Sequence, residues 1–299
     1  MRGTNFRPRI ASRVNAGQVW VGTGPGHYME DVHRKANARV PGLCRRRKGL
    51  VAFAKETIDN IRYSEEDHLA FMALCFLGKQ IDHANSILAL IPSRDAILIA
   101  RSMIEGLCQL LWAAKDPRVL PVRWRAFAYV HDWRIVQSKV EAGELVDPET
   151  RIGIESALRQ FGGQFLKMRA KGSGDLGAPL RTDPYHKDWR AGHQIRQICE
   201  SVGAEDLYRQ LYEPFSDWLH WGPAGLGTAI DRKGDRIIYS SLRPADAATA
   251  LAVGFQCLLQ TVQLVDRHLD LALTARIADL RDEYIAWGNN PDFAVVDPE

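Results

Sequence analysis

The chain has 299 residues, 46% of them hydrophobic and 25% charged, with a formal net charge of +3. That is enough apolar chain to bury a sizeable core, as one large domain or one domain with appendages, and too much for a disordered protein. Five cysteines with no C-x-x-C pair exclude a disulfide framework and a zinc knuckle, and read as reduced thiols of a cytoplasmic protein. No signal peptide is recognisable, and no apolar run approaches the roughly 20 residues a bilayer requires, so no membrane partner is expected.

The charge is unevenly spread. Met1–Lys48 holds eleven Lys and Arg against Glu30 and Asp31, which leaves the remainder net acidic. With scattered Gly and Arg, three isolated prolines and no sustained period, residues 1–48 read as a basic arm outside the core. Arg45, Arg46 and Arg47 suit a nucleic-acid arm. A targeting peptide would need an amphipathic helix that the pattern lacks, and the plainest reading is upstream sequence with Met29 as the initiator.

Residues 49–290 read as a single helical domain, with 291–299 a tail. Leu50–Arg62 predicts an amphipathic helix with Val51, Phe53, Ile58 and Ile61 inward. Ser64 and the acidic run after it predict the start of a second helix ending near Leu90. Pro92 breaks the chain, and Ser93 is expected to cap a long apolar helix over residues 93–116. Pro117 and Pro121 punctuate the next connection, and a helix follows with Trp124, Phe127, Ala128 and Ile135 inward. Asp147–Pro148 opens another, expected to run to about Lys171. The turn-rich residues 172–186 form a long insertion, and a short helix follows near Gln194–Glu200. Ala204–Gly222 is helical with a kink expected at Pro214. A hairpin is expected around Lys233–Gly234, then a long helical pattern from Pro244 to Trp287 with a break near Gly254. The sum is an all-α multi-helix bundle with one small β-hairpin.

Two helices carry chemistry in unusual places. At 100° per residue, Arg101 falls inside the apolar arc of the 93–116 helix and Glu105 on its edge. Charges there need partners, and arginine before glutamate at i,i+4 is the weaker helical orientation, so the partners should come from another helix. Tyr212, Ser216 and His220 repeat every fourth residue and form one polar ridge beside Tyr208. These residues are expected to form one buried Arg-Glu-Tyr-Ser-His cluster. It could be a clamp fixing the register of two helices, or a site in which Glu105 holds His220 as a general base, raising the imidazole pKa, and Arg101 stabilises an anion.

The residues R-S-M-I-E at Arg101–Glu105, W-R at Trp189 and Y-R-Q-L-Y-E-P-F-S-D-W-L-H ending at His220 resemble the bacterial domain-of-unknown-function 5677 family. The resemblance spans residues 50–240 and implies Arg101, Glu105, Trp189, Tyr208, Tyr212, Ser216 and His220 as family positions, with Pro214 a departure. It implies no reaction, and it permits a setting in stress or phage defence.

The leading expectation is therefore a binding or interaction module with RNA or a protein as partner, a homodimer being one form it could take. The alternative is a metal-independent ribonuclease of HEPN-like fold, an analogy with bundles whose site is an R-x(4-6)-H motif. Arg62 with His68, Arg125 with His131 and Arg181 with His186 match that spacing, about as often as chance gives. Arg125 joins Tyr208, Tyr212 and Trp189 as a candidate binding residue; the catalytic candidates are Arg101, Glu105, Ser216 and His220. Glu65 with His68 and Asp217 with His220 put carboxylate and imidazole on one face, but the further glutamates of a di-metal bundle are missing, so no metal or other cofactor is expected. Ser216 lacks a glycine-rich elbow, and Gly22–Gly26 lacks the lysine of a phosphate loop. Trp112, Trp124, Trp133, Trp218 and Trp221 read as core.

Overall fold

A computed structural model describes residues 26–167, 183–233, 236–240 and 242–289, and the architecture is all-α. Its helices are α1 (Gly26–Asn60), α2 (His68–Leu90), α3 (Ala96–Ala113), α4 (Leu120–Glu141), α5 (Pro148–Phe161), α6 (Ile195–Ser201), α7 (Glu205–Leu207), α8 (Glu213–Leu219), α9 (Pro223–Gly227), α10 (Pro244–Leu269) and α11 (Thr274–Gly288). The expected hairpin is present, with β1 (Ile230–Lys233) antiparallel to β2 (Arg236–Tyr239) and Ile230 opposite Tyr239.

The central element is α10, not the 93–116 helix. It is apolar around most of its circumference and packs against α1, α2 and α3, which makes these four the bundle proper. Helices α3 and α10 are long and apolar enough to cross a membrane by length and composition alone, and here they lie against each other. A second, smaller apolar cluster joins Ala126 and Val130 of α4 to Leu158 of α5 and Phe165. The segments α6–α8 lean on the outer side of α3.

The bounds differ from expectation in ways that have local causes. Helix α1 begins at Gly26, so the basic stretch through Lys48 is not an arm over its described part, while residues 1–25 lie outside the described residues. Pro41 sits inside α1 and cannot donate to the carbonyl of Asn37, but Asn37 is exposed, so water can take that acceptor. Asp67, not Ser64, caps α2 through the Ala70 N–H, 2.9 Å. Ser93 Oγ accepts from Asp95 N–H one turn before α3 and is not its cap. Asp147 caps α5 as expected, but that helix ends at Phe161 and closes in a 3-10 turn, Gly162–Phe165. On α4 the buried positions are Ala126, Val130 and Val136, so Ile135 and Ala128 are exposed. No break occurs at Gly254: α10 runs straight through it.

What fills the space beside Gly254 is Arg47. Its side chain is fully buried, and a β-carbon at 254 would collide with its guanidinium. Nη1 donates to the carbonyls of Ala250, 3.2 Å, and Leu251, 3.0 Å, and Nη2 to Met103 Sδ, 3.3 Å, while Nε has no acceptor. Among the described residues no carboxylate pairs with it. Burial pushes its pKa down to about 10, and the guanidinium stays charged at neutral pH. The cation thus ties α1 to α10 through main-chain carbonyls and to α3 through the Met103 thioether.

Candidate functional site

Helix α3 presents Arg101 and Glu105 toward the run α7–α8. That run is not a plain helix: Tyr208–Tyr212 form a π-type turn, and α8 starts at Glu213 with Pro214 in its first turn. Pro214 has no N–H for the carbonyl of Gln210, and the preceding turn widens so that the Glu213 N–H reaches Tyr208 O. The expected irregularity is therefore present, displaced one turn upstream.

The wider turn keeps Tyr212 and Ser216 on the side of Arg101. Arg101 Nε donates to Ser216 Oγ, 2.7 Å, and Nη2 to the Tyr212 hydroxyl, 2.6 Å, with the guanidinium 4.2 Å from the ring centroid. Tyr212 in turn donates to Glu105 Oε2, 3.0 Å, and Ser216 Oγ donates to the Tyr212 carbonyl, 2.8 Å. The direct Arg101–Glu105 contact is long, 3.7 Å, as the weak orientation predicts, and the phenol bridges the two. Burial, and then the negative Glu105, push the Tyr212 pKa up, which keeps it a neutral donor.

Three further residues complete the network. Gln109 Nε2 donates to Glu105 Oε1, 3.3 Å, and Trp189 Nε1 donates to Gln109 Oε1, 2.7 Å. Arg190 Nη1 lies 3.5 Å from Glu105 Oε1, and its Nη2 donates to Asp188 Oδ2, 2.7 Å. Burial alone would lower the Arg190 pKa; Asp188 and Glu105 outweigh it and raise it. Tyr208 stacks on Tyr212 with centroids 5.2 Å apart, and Trp112 packs on Trp189 at 5.1 Å and on His193 at 5.2 Å. The side chains of Arg101 and Glu105 remain 17% and 26% exposed, so the network is a floor at the surface and not a sealed core feature.

Arg101, Glu105, Tyr208, Tyr212, Ser216 and Trp189 are thus brought together. His220 is not. Helix α8 ends at Leu219, and His220 is its C-cap, exposed, with no bond to Glu105 among the described residues. The fourfold ridge fails there because the helix stops one residue before the imidazole, ahead of Gly222–Pro223. Trp221 follows at φ 59° and is 79% exposed, against the expectation of a core residue. Arg125 is elsewhere: it is exposed on α4, over the Phe71 ring at 4.7 Å and 3.4 Å from His68 Nδ1. Arg181 lies outside the described residues. Among the described residues no three His, Cys, Asp or Glu side chains gather as metal ligands would.

Sequence reasoning missed Arg190 and Gln109. Arg190 is the second residue of the W-R pair, and Gln109 stands one turn after Glu105, so the i,i+4 series Arg101, Glu105, Gln109 was the available signal.

With this geometry in place, the match to known families can be read. Residues 70–237, more than half of the chain, match a family described as "Family of unknown function (DUF5677)". The chain belongs to this family. No curated protein and no solved structure matches it. Every residue of the α3 network lies within the DUF5677 segment, whereas Arg47, Gly254 and α11 lie outside it.

Proposed function

We propose that this DUF5677 protein is a non-catalytic helical binding module, and that the Arg101–Tyr212–Glu105–Ser216 network is a clamp that fixes α3 against the α7–α8 run. One observation carries the reading: the hydroxyl that would be the nucleophile is already spent. Ser216 Oγ accepts from Arg101 and donates to the Tyr212 carbonyl, and the base that would activate it stands outside the network. Arg101 likewise has its Nε and Nη2 engaged and its Nη1 3.7 Å from Glu105, so the guanidinium is already turned to the protein's own acceptors. A HEPN-like ribonuclease would need Arg101 and His220 to act on one phosphate, and His220, exposed at the C-cap of α8, makes no bond to the network among the described residues.

The test is cleavage of labelled total RNA by wild type and His220→Ala, with thermal melts of both and of Tyr212→Phe. The module reading expects no cleavage, an unchanged melt for His220→Ala and a lowered melt for Tyr212→Phe. Cleavage by wild type that vanishes in His220→Ala at unchanged melting temperature overturns it.

A further inference from the structure

Where α11 packs beside α1, Arg45 and Arg46 of α1 and Arg276 and Glu283 of α11 surround a cleft of about 350 Å³ lined also by Phe255 and Leu280. Arg45 and Arg276 are exposed and make no hydrogen bond or ion pair among the described residues. Arg46 makes one long bond to the Gly42 carbonyl, 3.4 Å, and its Nε is buried without an acceptor. Three guanidiniums around one carboxylate repel one another, and Glu283 is in ion-pair contact with none of them. Gly49 also lines the cleft, and a β-carbon there would stand in open space, with nothing within 4 Å.

The positive surface continues beyond the cleft. Arg45, Lys48 and Lys55 are exposed at spacings of three and seven, one stripe along α1 about 15 Å long. A guanidinium fork matches a pair of phosphate oxygens, and a stripe of that length spans more than one phosphate of an extended strand. Among the described residues that line or adjoin the cleft no aromatic face is free to stack a base: Trp287 lies under Arg46 at 4.8 Å and against Gly42, and Phe255 stacks on Tyr284 at 4.3 Å. We infer that the α1–α11 cleft and its stripe bind the phosphodiester backbone of a single nucleic-acid strand without base selectivity. This rests on the binding-module reading, names its ligand, and places the site outside residues 70–237.

The test is fluorescence anisotropy of the full chain with a labelled single-stranded RNA, in wild type, R45E/R276E and Glu283→Gln. Contact with three to four phosphates predicts a log–log salt slope of about −2 to −3, hence roughly a tenfold or greater loss between 50 and 200 mM salt. R45E/R276E should bind about tenfold more weakly at an unchanged melting temperature, both side chains being exposed. Glu283→Gln should bind more tightly, and a scrambled RNA equally well. Unchanged affinity in R45E/R276E overturns the inference by placing binding elsewhere on the chain, as does salt-independent binding. Full competition by ATP or pyrophosphate at matched charge also overturns it, in favour of a small-phosphate site. Cleavage dependent on His220 would sink the module reading and leave these binding comparisons intact.

Discussion

Replacing Gly254 with alanine would put a methyl group into the space held by the Arg47 guanidinium, in the middle of α10. On an exposed helix this change stabilises by about 1 kcal/mol. Here Arg47 is fully buried and its end is fixed by the Ala250 and Leu251 carbonyls and by Met103, so it has nowhere to swing. Overpacking costs about 1–3 kcal/mol, and a charged hydrogen bond lost in the interior about 1.5–3 more, which less the helix gain leaves a net loss of about 1.5–5 kcal/mol. Arg47→Met removes the obstacle, and in that background Gly254→Ala should be neutral or stabilising by up to about 1 kcal/mol. Urea unfolding followed by far-ultraviolet circular dichroism on the four proteins measures the coupling. If Gly254→Ala has the same effect in both backgrounds, Arg47 does not occupy the seat described.

Tyr212→Phe should cost about 1–3 kcal/mol, because Arg101 and Glu105 lose the phenol that bridges them, while His220→Ala should stay within about 0.5 kcal/mol; chemical denaturation separates the two. Asp67 accepts from the Ala70 N–H and sits 2.9 Å from His268 Nε2. Its burial would raise its pKa, but these bonds outweigh that and hold it below the ordinary aspartate value. Its contribution is therefore present above that ordinary value and lost as pH falls through the lower, folded one. Asp67→Asn, which keeps the cap, should melt below wild type near neutral pH and converge with it in acid, once the Asp67 carboxyl is protonated. Asp266, buried at the end of α10, accepts from the Leu273 N–H, 2.8 Å, and Thr274 Oγ1, 2.9 Å, and so holds the start of α11. Asp266→Ala should cost about 1–3 kcal/mol and speed amide exchange in α11 before the rest of the bundle.

The legible part of this molecule was the part written in periodicity. Arg101 and Glu105 stood out because charges interrupt an apolar arc, and Tyr212 and Ser216 because they recur every fourth residue, so their meeting could be anticipated. His220 obeyed the same spacing and failed, since a ridge exists only while the helix does. Arg47 was illegible for the opposite reason. Three consecutive arginines near a proline and several glycines carry no period, and what makes the third of them a core residue is a missing side chain about 200 positions later. Gly254 gave half of that signal, and alone it reads as a break. The α11 cleft needs α1 and α11 side by side, and no local pattern announces such a pairing.

The central place of α10 bears on how the family's matched region can exist at all. Residues 70–237 stop short of α10, yet α2 and α3, both inside that region, bury their apolar faces against it. A fragment cut to the matched residues would leave those faces wet and would be expected to aggregate rather than fold. The matched sequence is thus one wall of a core whose keystone lies beyond it. In this chain the α3 network is therefore held in place from outside the matched residues, by a helix that the match does not reach.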